Sequence, residues 1–275
     1  MSFSMGPALL FCPGDRPDRF AKAAERADAV ILDLEDGVAP EDKAAAREAV
    51  AASSLDPNRT IVRVNAADSA HLADDLAVLA RTAYRTVMLP KATSPADVDA
   101  LGARDVIALC ETAAGVVRAA DIAAHPRVVA LMWGAEDLVA SMGGTSSRHA
   151  SGAYRDIAAH ARSQVLLAAG AAGRGAIDAI RTDIADVDGC RTEADDAAAS
   201  GFAAKAAIHP SHVAPIRDAF APSAERVAWA ERILEEGERR PGAFRFEGRM
   251  VDEPVLMHAR SILARAHRGA TSPRP

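Results

Sequence analysis

Cysteine is scarce: Cys12, Cys110 and Cys190 are the only three in 275 residues. An odd number cannot pair completely, and two of them sit in apolar runs, LLFCP and IALCE, where a buried free thiol behaves as a small hydrophobe. No zinc-type spacing links them, so a disulfide-stapled secreted domain is excluded and the chain reads as reduced and cytoplasmic. Long apolar runs are also missing. The longest, VLLAAGAAG from Val165, ends at Arg174, well short of the roughly 20 residues a membrane span needs. The opening segment MSFSMGPALLFCPGDR has no basic start and too short an apolar run for a signal peptide. Basic residues are outnumbered, 32 Lys and Arg against 38 Asp and Glu, and the net charge of −6 argues against a nucleic-acid surface. A local basic cluster can still bind an anion against that global sign. A glycine-rich dinucleotide turn is lacking as well: Pro13-Gly14-Asp15-Arg16-Pro17 follows the first apolar run where G-x-G-x-x-G would be required.

What is present is an alternation of short apolar runs with longer alanine-rich stretches of helical period. The candidate strands are Ala8–Pro13, Ala29–Glu35, Thr60–Asn65, Thr86–Pro90, Val106–Glu111, Val128–Trp133, Ala179–Asp183 and Lys205–His209. Runs that are apolar throughout and followed by a helix describe parallel strands buried on both faces. Eight such repeats in this length predict a (β/α)8 TIM barrel over residues 1–221, which takes about 250 residues in a typical case. From Pro222 the pattern changes. A helix over Ala224–Arg239 is predicted, with Trp229, Ile233 and Leu234 inward, then a break at Arg240-Pro241-Gly242 and an irregular stretch Ala243–Pro254. A last helix over Val255–Ala266 completes a C-terminal helical lid, residues 222–268, expected to cover the site or reach a neighbouring subunit. The tail 269–275 reads as disordered.

In a barrel, catalytic groups come from the C-terminal ends of the strands, and here those ends are polar. The second ends in Leu32-Asp33-Leu34-Glu35-Asp36-Gly37, the third carries Arg63 and Asn65, Lys91 follows the fourth, Glu111 ends the fifth, Glu136-Asp137 follow the sixth, and His209 ends the eighth. Any one of these could be a solvated loop residue or a helix cap, and Asp36-Gly37 could be turn chemistry alone. Carboxylates gathered at one mouth repel unless a cation lies among them. Oxygen-only ligands without Cys or His clusters favour Mg²⁺, with Mn²⁺ as its substitute. Glu136 and Asp137 cannot point the same way, so one of the two is a cap or a support. Arg16, Arg19 and Lys22 recur at i, i+3 spacing along the first helix, a cationic face suited to phosphate and equally able to pair with Asp15 and Asp18. Met88, Met132 and Trp133 are candidates for lining an apolar substrate pocket.

The blocks LFCPGDRPDRFAKA, VILDLEDGV, TIVRVNA, VMLPKA, ALCETAAGV, LMWGAEDL and AAIHPSHV, in this order, resemble the HpcH/HpaI aldolase superfamily. Within it they are similar to the stand-alone citrate lyase β-subunit-like proteins of mycobacterial type, and the later AFRFEGRMVDEPV resembles the C-terminal lid of that group. The resemblance covers about Ala8 to Ala266. It implies a Mg²⁺-dependent carbon–carbon lyase acting on a β-hydroxyacyl-CoA of malyl, citramalyl, citryl or 3-hydroxy-3-methylglutaryl type, releasing acetyl-CoA or a related acyl-CoA and an oxo acid. Motif by motif it implies Glu111 and Asp137 as metal ligands, Glu35 and Asp36 as holders of the metal's waters, and Arg63 on the oxo-acid oxygens. It likewise implies Phe11, Arg19 and Lys22 near the CoA, Ile208 and His209 lining the same channel, and Asp252 as the acid/base delivered in trans within a homotrimer or hexamer. The first loop departs from the family's pattern, which often has extra lysines where Asp18 stands. Two other readings stay open at this stage: a metal-dependent aldolase acting on free hydroxy-oxo acids, and a non-catalytic acyl-CoA-binding subunit.

Overall fold

A computed structural model describes residues 3–240 and 242–271. Eight strands, β1 (Ala8–Pro13), β2 (Ala29–Asp33), β3 (Thr60–Arg63), β4 (Thr86–Leu89), β5 (Asp105–Cys110), β6 (Val128–Trp133), β7 (Gly175–Asp178) and β8 (Ala204–Ala207), close into a barrel in sequence order. Every pairing is parallel, and β8 returns to β1. The strands are mostly apolar because one face fills the barrel and the other packs against helices, the buried Asp178 of β7 and Lys205 of β8 being the charged exceptions on the outer face. Those helices are α1 (Phe20–Arg26), α2 (Lys43–Ala52), α3 (Leu72–Leu79), α4 (Pro95–Asp99), α5 (Ala113–Val117), α6 (Ala119–Ala124), α7 (Ala135–Ser141), α8 (Asp156–Ala171), α9 (Val187–Ser200) and α10 (Val213–Phe220). All three cysteines are buried and free. Among the described residues no helix is long and apolar enough to cross a membrane.

The seventh strand differs from expectation. It is Gly175–Asp178, not Ala179–Asp183. Gly175 and Ala176 have little strand propensity, whereas Ala179-Ile180 imitates an apolar run; Ile180 packs against the barrel core from the loop.

Side chains alternate across a strand with a period of two, and this positions the site. The barrel interior is filled by Leu9, Ile31, Ile61, Met88, Ile107, Leu109, Met132, Ile177, Ala204 and Ala206, among others. One further two-residue step up the same strands leads to Phe11, Asp33, Arg63, Glu111, Gly134 and Ile208. The mouth is therefore the continuation of the core columns. Met88 and Met132 lie in these columns, while Trp133 faces outward and donates Nε1–H to Asp178 at 2.8 Å.

Outside the barrel, Asp178 and Lys205 are completely buried. Asp178 accepts from Trp133, from Arg162 Nε at 2.9 Å and from Lys205 Nζ at 3.0 Å. Burial alone would raise this carboxyl, but Lys205 and Arg162 hold it below the usual range. Lys205 also reaches Glu193, which pairs with Arg148 and Arg181. These ions join β7 and β8 to α8, α9 and the loops flanking them.

The chain divides into two compact units, residues 1–216 and 217–275. The second holds α11 (Ala224–Arg239), a hairpin of β9 (Phe244–Phe246) and β10 (Arg249–Val251), and α12 (Glu253–Thr271). Its core comprises Ala230, Ile233, Val251, Ala259 and Ile262, with Trp229 and Leu234 half-buried against it. The hairpin replaces the irregular stretch expected over Ala243–Pro254. Glu247 (φ 47°) and Gly248 (φ 81°) make a two-residue turn with both φ values positive, the geometry that matches strand twist. The last helix extends to Thr271, and residues 272–275 of the expected tail lie outside the described residues.

Candidate active site

Five successive strand ends supply the mouth. Asp33 closes β2 opposite Arg63 of β3. The two form a forked ion pair: Arg63 Nε and Nη2 each lie 2.6 Å from an Asp33 oxygen. The same carboxylate accepts the amides of Glu35 and Gly37, each at 2.9 Å. Both its oxygens are thus occupied twice, and the LEDG loop is wound around it. A Cβ on Gly37 would collide with Asp33 Oδ2, which fixes glycine there. Arg63 also stands over the Phe11 ring, 5.0 Å from its centroid.

Glu35 is buried, with Oε2 at 2.9 Å from Arg63 Nη1 and Oε1 paired with Lys91 Nζ. Oε2 nonetheless accepts no well-directed hydrogen bond. Asp36 is exposed at the rim, 3.1 Å from Lys91 Nζ. Burial raises the Asp36 carboxyl and Lys91 more than reverses this, leaving it below the ordinary value. Beneath the loop, buried Lys43 donates to the carbonyls of Leu34 and Glu35 at 2.8 and 3.0 Å and to Asn65 Oδ1 at 2.9 Å.

Glu111 follows β5, 3% exposed, and accepts the Lys91 amide at 3.0 Å. Burial, reinforced by the negative charges of Asp137 and Glu35, pushes its carboxyl up to about 8; Arg63 and Lys91 offset only part of this. Gly134 makes room for it, since a Cβ there would sit 2.9 Å from Glu111 Oε2. Asp137 is exposed in the first turn of α7. Its neighbour Glu136 is turned away onto Ser147 Oγ at 2.6 Å, as two adjacent residues require. Among the described residues no three His, Cys, Asp or Glu side chains are placed to hold a metal ion by themselves.

The remaining sequence-derived candidates are more dispersed. Arg16 precedes α1 and pairs with Asp18 at 3.2 Å, while Arg19 and Lys22 are exposed. Ile208 is partly exposed one step beyond β8, and His209 Nδ1 caps its own turn at Ser211. Asp252 belongs to the second unit, between β10 and α12, where its carbonyl accepts the amides of Val255 and Leu256 at 3.1 Å. Asp33 and Lys43, which hold the site together, carry no role in the sequence reading, and Lys91 stands there only as a charge following the fourth strand. Asp33 was accessible through the period of two from Ile31. Nothing local marks Lys43, which looks like an ordinary helix start.

An α/β barrel whose strand ends gather an anchored guanidinium, a lysine and several carboxylates has the layout of a barrel enzyme, whose reacting groups sit at the C-terminal ends of the strands. The family follows from comparison: residues 8–210 match the HpcH/HpaI aldolase/citrate lyase model, and the chain belongs to that family. It is 59% identical over 261 residues to a citrate lyase subunit beta-like protein of Mycobacterium tuberculosis, covering 95% of this chain and 96% of that protein. It is 31% identical over 293 residues to the human mitochondrial citramalyl-CoA lyase, covering 94% and 85%. The crystal structure of CitE from Mycobacterium tuberculosis in complex with magnesium, acetoacetate and coenzyme A superposes with a TM-score of 0.91 at 59% identity, covering 96% of this chain and 99% of that one. Membership of this family makes the chain an enzyme of the lyase class.

Proposed function

We propose that the chain is a Mg²⁺-dependent lyase that cleaves a β-hydroxyacyl-CoA into acetyl-CoA, or a related acyl-CoA, and an oxo acid. The observation that carries this reading is Glu111: a buried carboxyl beside Asp137 and Glu35, with a proton affinity raised to about 8. A divalent cation displacing that proton would relieve the repulsion. Two protein carboxylates, Glu111 and Asp137, suit Mg²⁺, which keeps waters and takes its other oxygens from substrate. Glu35 and Asp36 would hold those waters, and the undirected Oε2 of Glu35 is free to accept from one. When bound, the ion supplies Lewis acidity at the substrate's hydroxyl and carboxylate oxygens.

The other steps belong to the chain's own residues. Arg63 binds the carboxylate and the hydroxyl oxygen as the latter becomes a carbonyl. Asp33 takes two of its five N–H donors and fixes its plane, leaving others for substrate. The hydroxyl proton leaves, the C–C electron pair passes to the thioester as its enolate, and protonation of that carbon yields the acyl-CoA. Asp252, contributed by a neighbouring copy in a trimer or hexamer, carries the proton in this reading. Phe11, Arg19 and Lys22, with Ile208 and His209, would line the path of the CoA. Arg19 and Lys22 are exposed cations suited to its phosphates.

The test is a mass-spectrometric cleavage assay with Mg²⁺, with and without EDTA. The panel holds malyl-, citramalyl-, citryl- and both enantiomers of 3-hydroxy-3-methylglutaryl-CoA. EDTA-sensitive release of an acyl-CoA from one of them is the expected result. Arg19→Ala/Lys22→Ala should then raise KM for the thioester with little change in kcat. Silence across the panel overturns the proposal; retained CoA binding would then favour a non-catalytic subunit, and loss of it a free-acid aldolase.

A further inference from the structure

Lys91 stands one residue beyond Pro90 at the end of β4, with φ at +52°. Among the described residues only Lys91 and Glu247 are non-glycines with positive φ. Glu247 needs it to close a hairpin, and Lys91 closes none. Left-handed backbone strains a residue that bears a side chain and costs glycine almost nothing. What a lysine offers there and a glycine does not is an ammonium.

The ammonium pairs with Glu35 Oε1 and lies 3.1 Å from Asp36 Oδ2, while the amide of the same residue donates to Glu111 Oε1 at 3.0 Å. One residue therefore spans from the loop after β2 to the end of β5, across the strand that carries Arg63. Glu35 is drawn from both sides, with Lys91 on one oxygen and Arg63 Nη1 2.9 Å from the other. Arg63 already gives Asp33 two donors. Were Glu35 free to turn both oxygens onto the guanidinium, few donors would remain for a substrate carboxylate.

Resting on the reading above, we propose that Lys91 is a positioning residue. It keeps one of the two Glu35 oxygens off Arg63, so that Arg63 retains donors for the oxo acid, and its own amide anchors Glu111 in the same stroke. The ammonium need not touch substrate for this. Its function is to compete with the guanidinium for one carboxylate.

The first test uses metal-free protein and is independent of the reaction. Urea unfolding of Lys91→Met, Glu35→Gln and the double variant gives their coupling. The effect of Lys91→Met on the unfolding constant should shrink by about fivefold in the Glu35→Gln background, the upper range for a partly exposed pair. Equal effects in both backgrounds overturn the clamp. The second test is calorimetric titration of pyruvate, as a 2-oxo acid, in the presence of Mg²⁺. Lys91→Met should weaken binding about tenfold, Lys91→Arg should restore most of it, and adding Glu35→Gln to Lys91→Met should recover part of it, because Glu35 then no longer competes with substrate for the donors of Arg63 that Asp33 leaves. Unchanged pyruvate affinity in Lys91→Met, or no rescue by Glu35→Gln, overturns the proposal. Failure of the wild-type protein to bind pyruvate instead counts against the proposed reaction, and the unfolding cycle still decides the clamp.

Discussion

Glu111→Gln should make the metal-free protein more stable, by an amount that grows with pH. In the folded chain the Glu111 carboxyl is raised to about 8, against an ordinary value of 4.5. A raised carboxyl favours the protonated form, so the fold weakens as pH climbs through 4.5, where the unfolded chain ionises, and the loss levels off above 8. Linkage gives a cost of about 1 kcal/mol at pH 5, about 3 kcal/mol at pH 7 and about 5 kcal/mol at pH 9. Glutamine keeps an oxygen to accept the Lys91 amide and carries no charge, so it escapes this cost. The assay is urea unfolding of EDTA-treated protein at those three pH values. Trp229→Phe in both chains would leave Trp133, in β6 of the barrel, as the sole tryptophan reporter. Mg²⁺ should then raise the midpoint of the wild-type side chain by mass action and leave that of the variant nearly unmoved. A stability gap that stays flat from pH 5 to pH 9 would refute the account of Glu111. A Mg²⁺ shift that survives the substitution would remove it from the proposed metal ligands.

Arg63→Lys should lower kcat/KM by about 10²-fold or more, because an ammonium cannot serve Asp33 and a substrate carboxylate in one plane; steady-state kinetics with the thioester found active checks it. Asp252→Ala should reduce kcat by about 10²–10⁴-fold and leave Mg²⁺ affinity unchanged by calorimetry; a change confined to KM would assign the residue to binding. Asp178→Ala should destabilise the barrel by about 3 kcal/mol, since buried Lys205 is left with Glu193 and the Ala179 carbonyl, Arg162 with Asp196, and the Trp133 Nε1–H with no acceptor. Below its lowered melting temperature that variant should retain activity, as Asp178 faces away from the mouth.

The barrel was legible because most strands are apolar on both faces and are followed by a polar end. Glu35, Asp36, Arg63 and Glu111 do meet at one mouth, which follows from strand order alone once the barrel closes. The seventh strand was misplaced where Gly175 and Ala176 give no propensity and Ile180 does. Lys91 was visible only as a charge after Pro90; the carboxylates it meets, Glu35, Asp36 and Glu111, stand at the ends of other strands, and no local pattern records that. Lys43 escaped for a similar reason, its three acceptors coming from the second and third strand ends. The Glu247-Gly248 hairpin carried a turn residue in sequence, but three-residue strands are too short to show a period.

The charged mouth shares its columns with the apolar interior: Ile31 lies under Asp33, Ile61 under Arg63 and Leu109 under Glu111. Core and catalyst are consequently one heritable unit. A designer who repacks Ile31, Ile61 or Leu109 for heat resistance would be re-aiming the reacting groups above them. The outer shell around Asp178 and Lys205 is where this barrel can be retuned for endurance without retuning its chemistry.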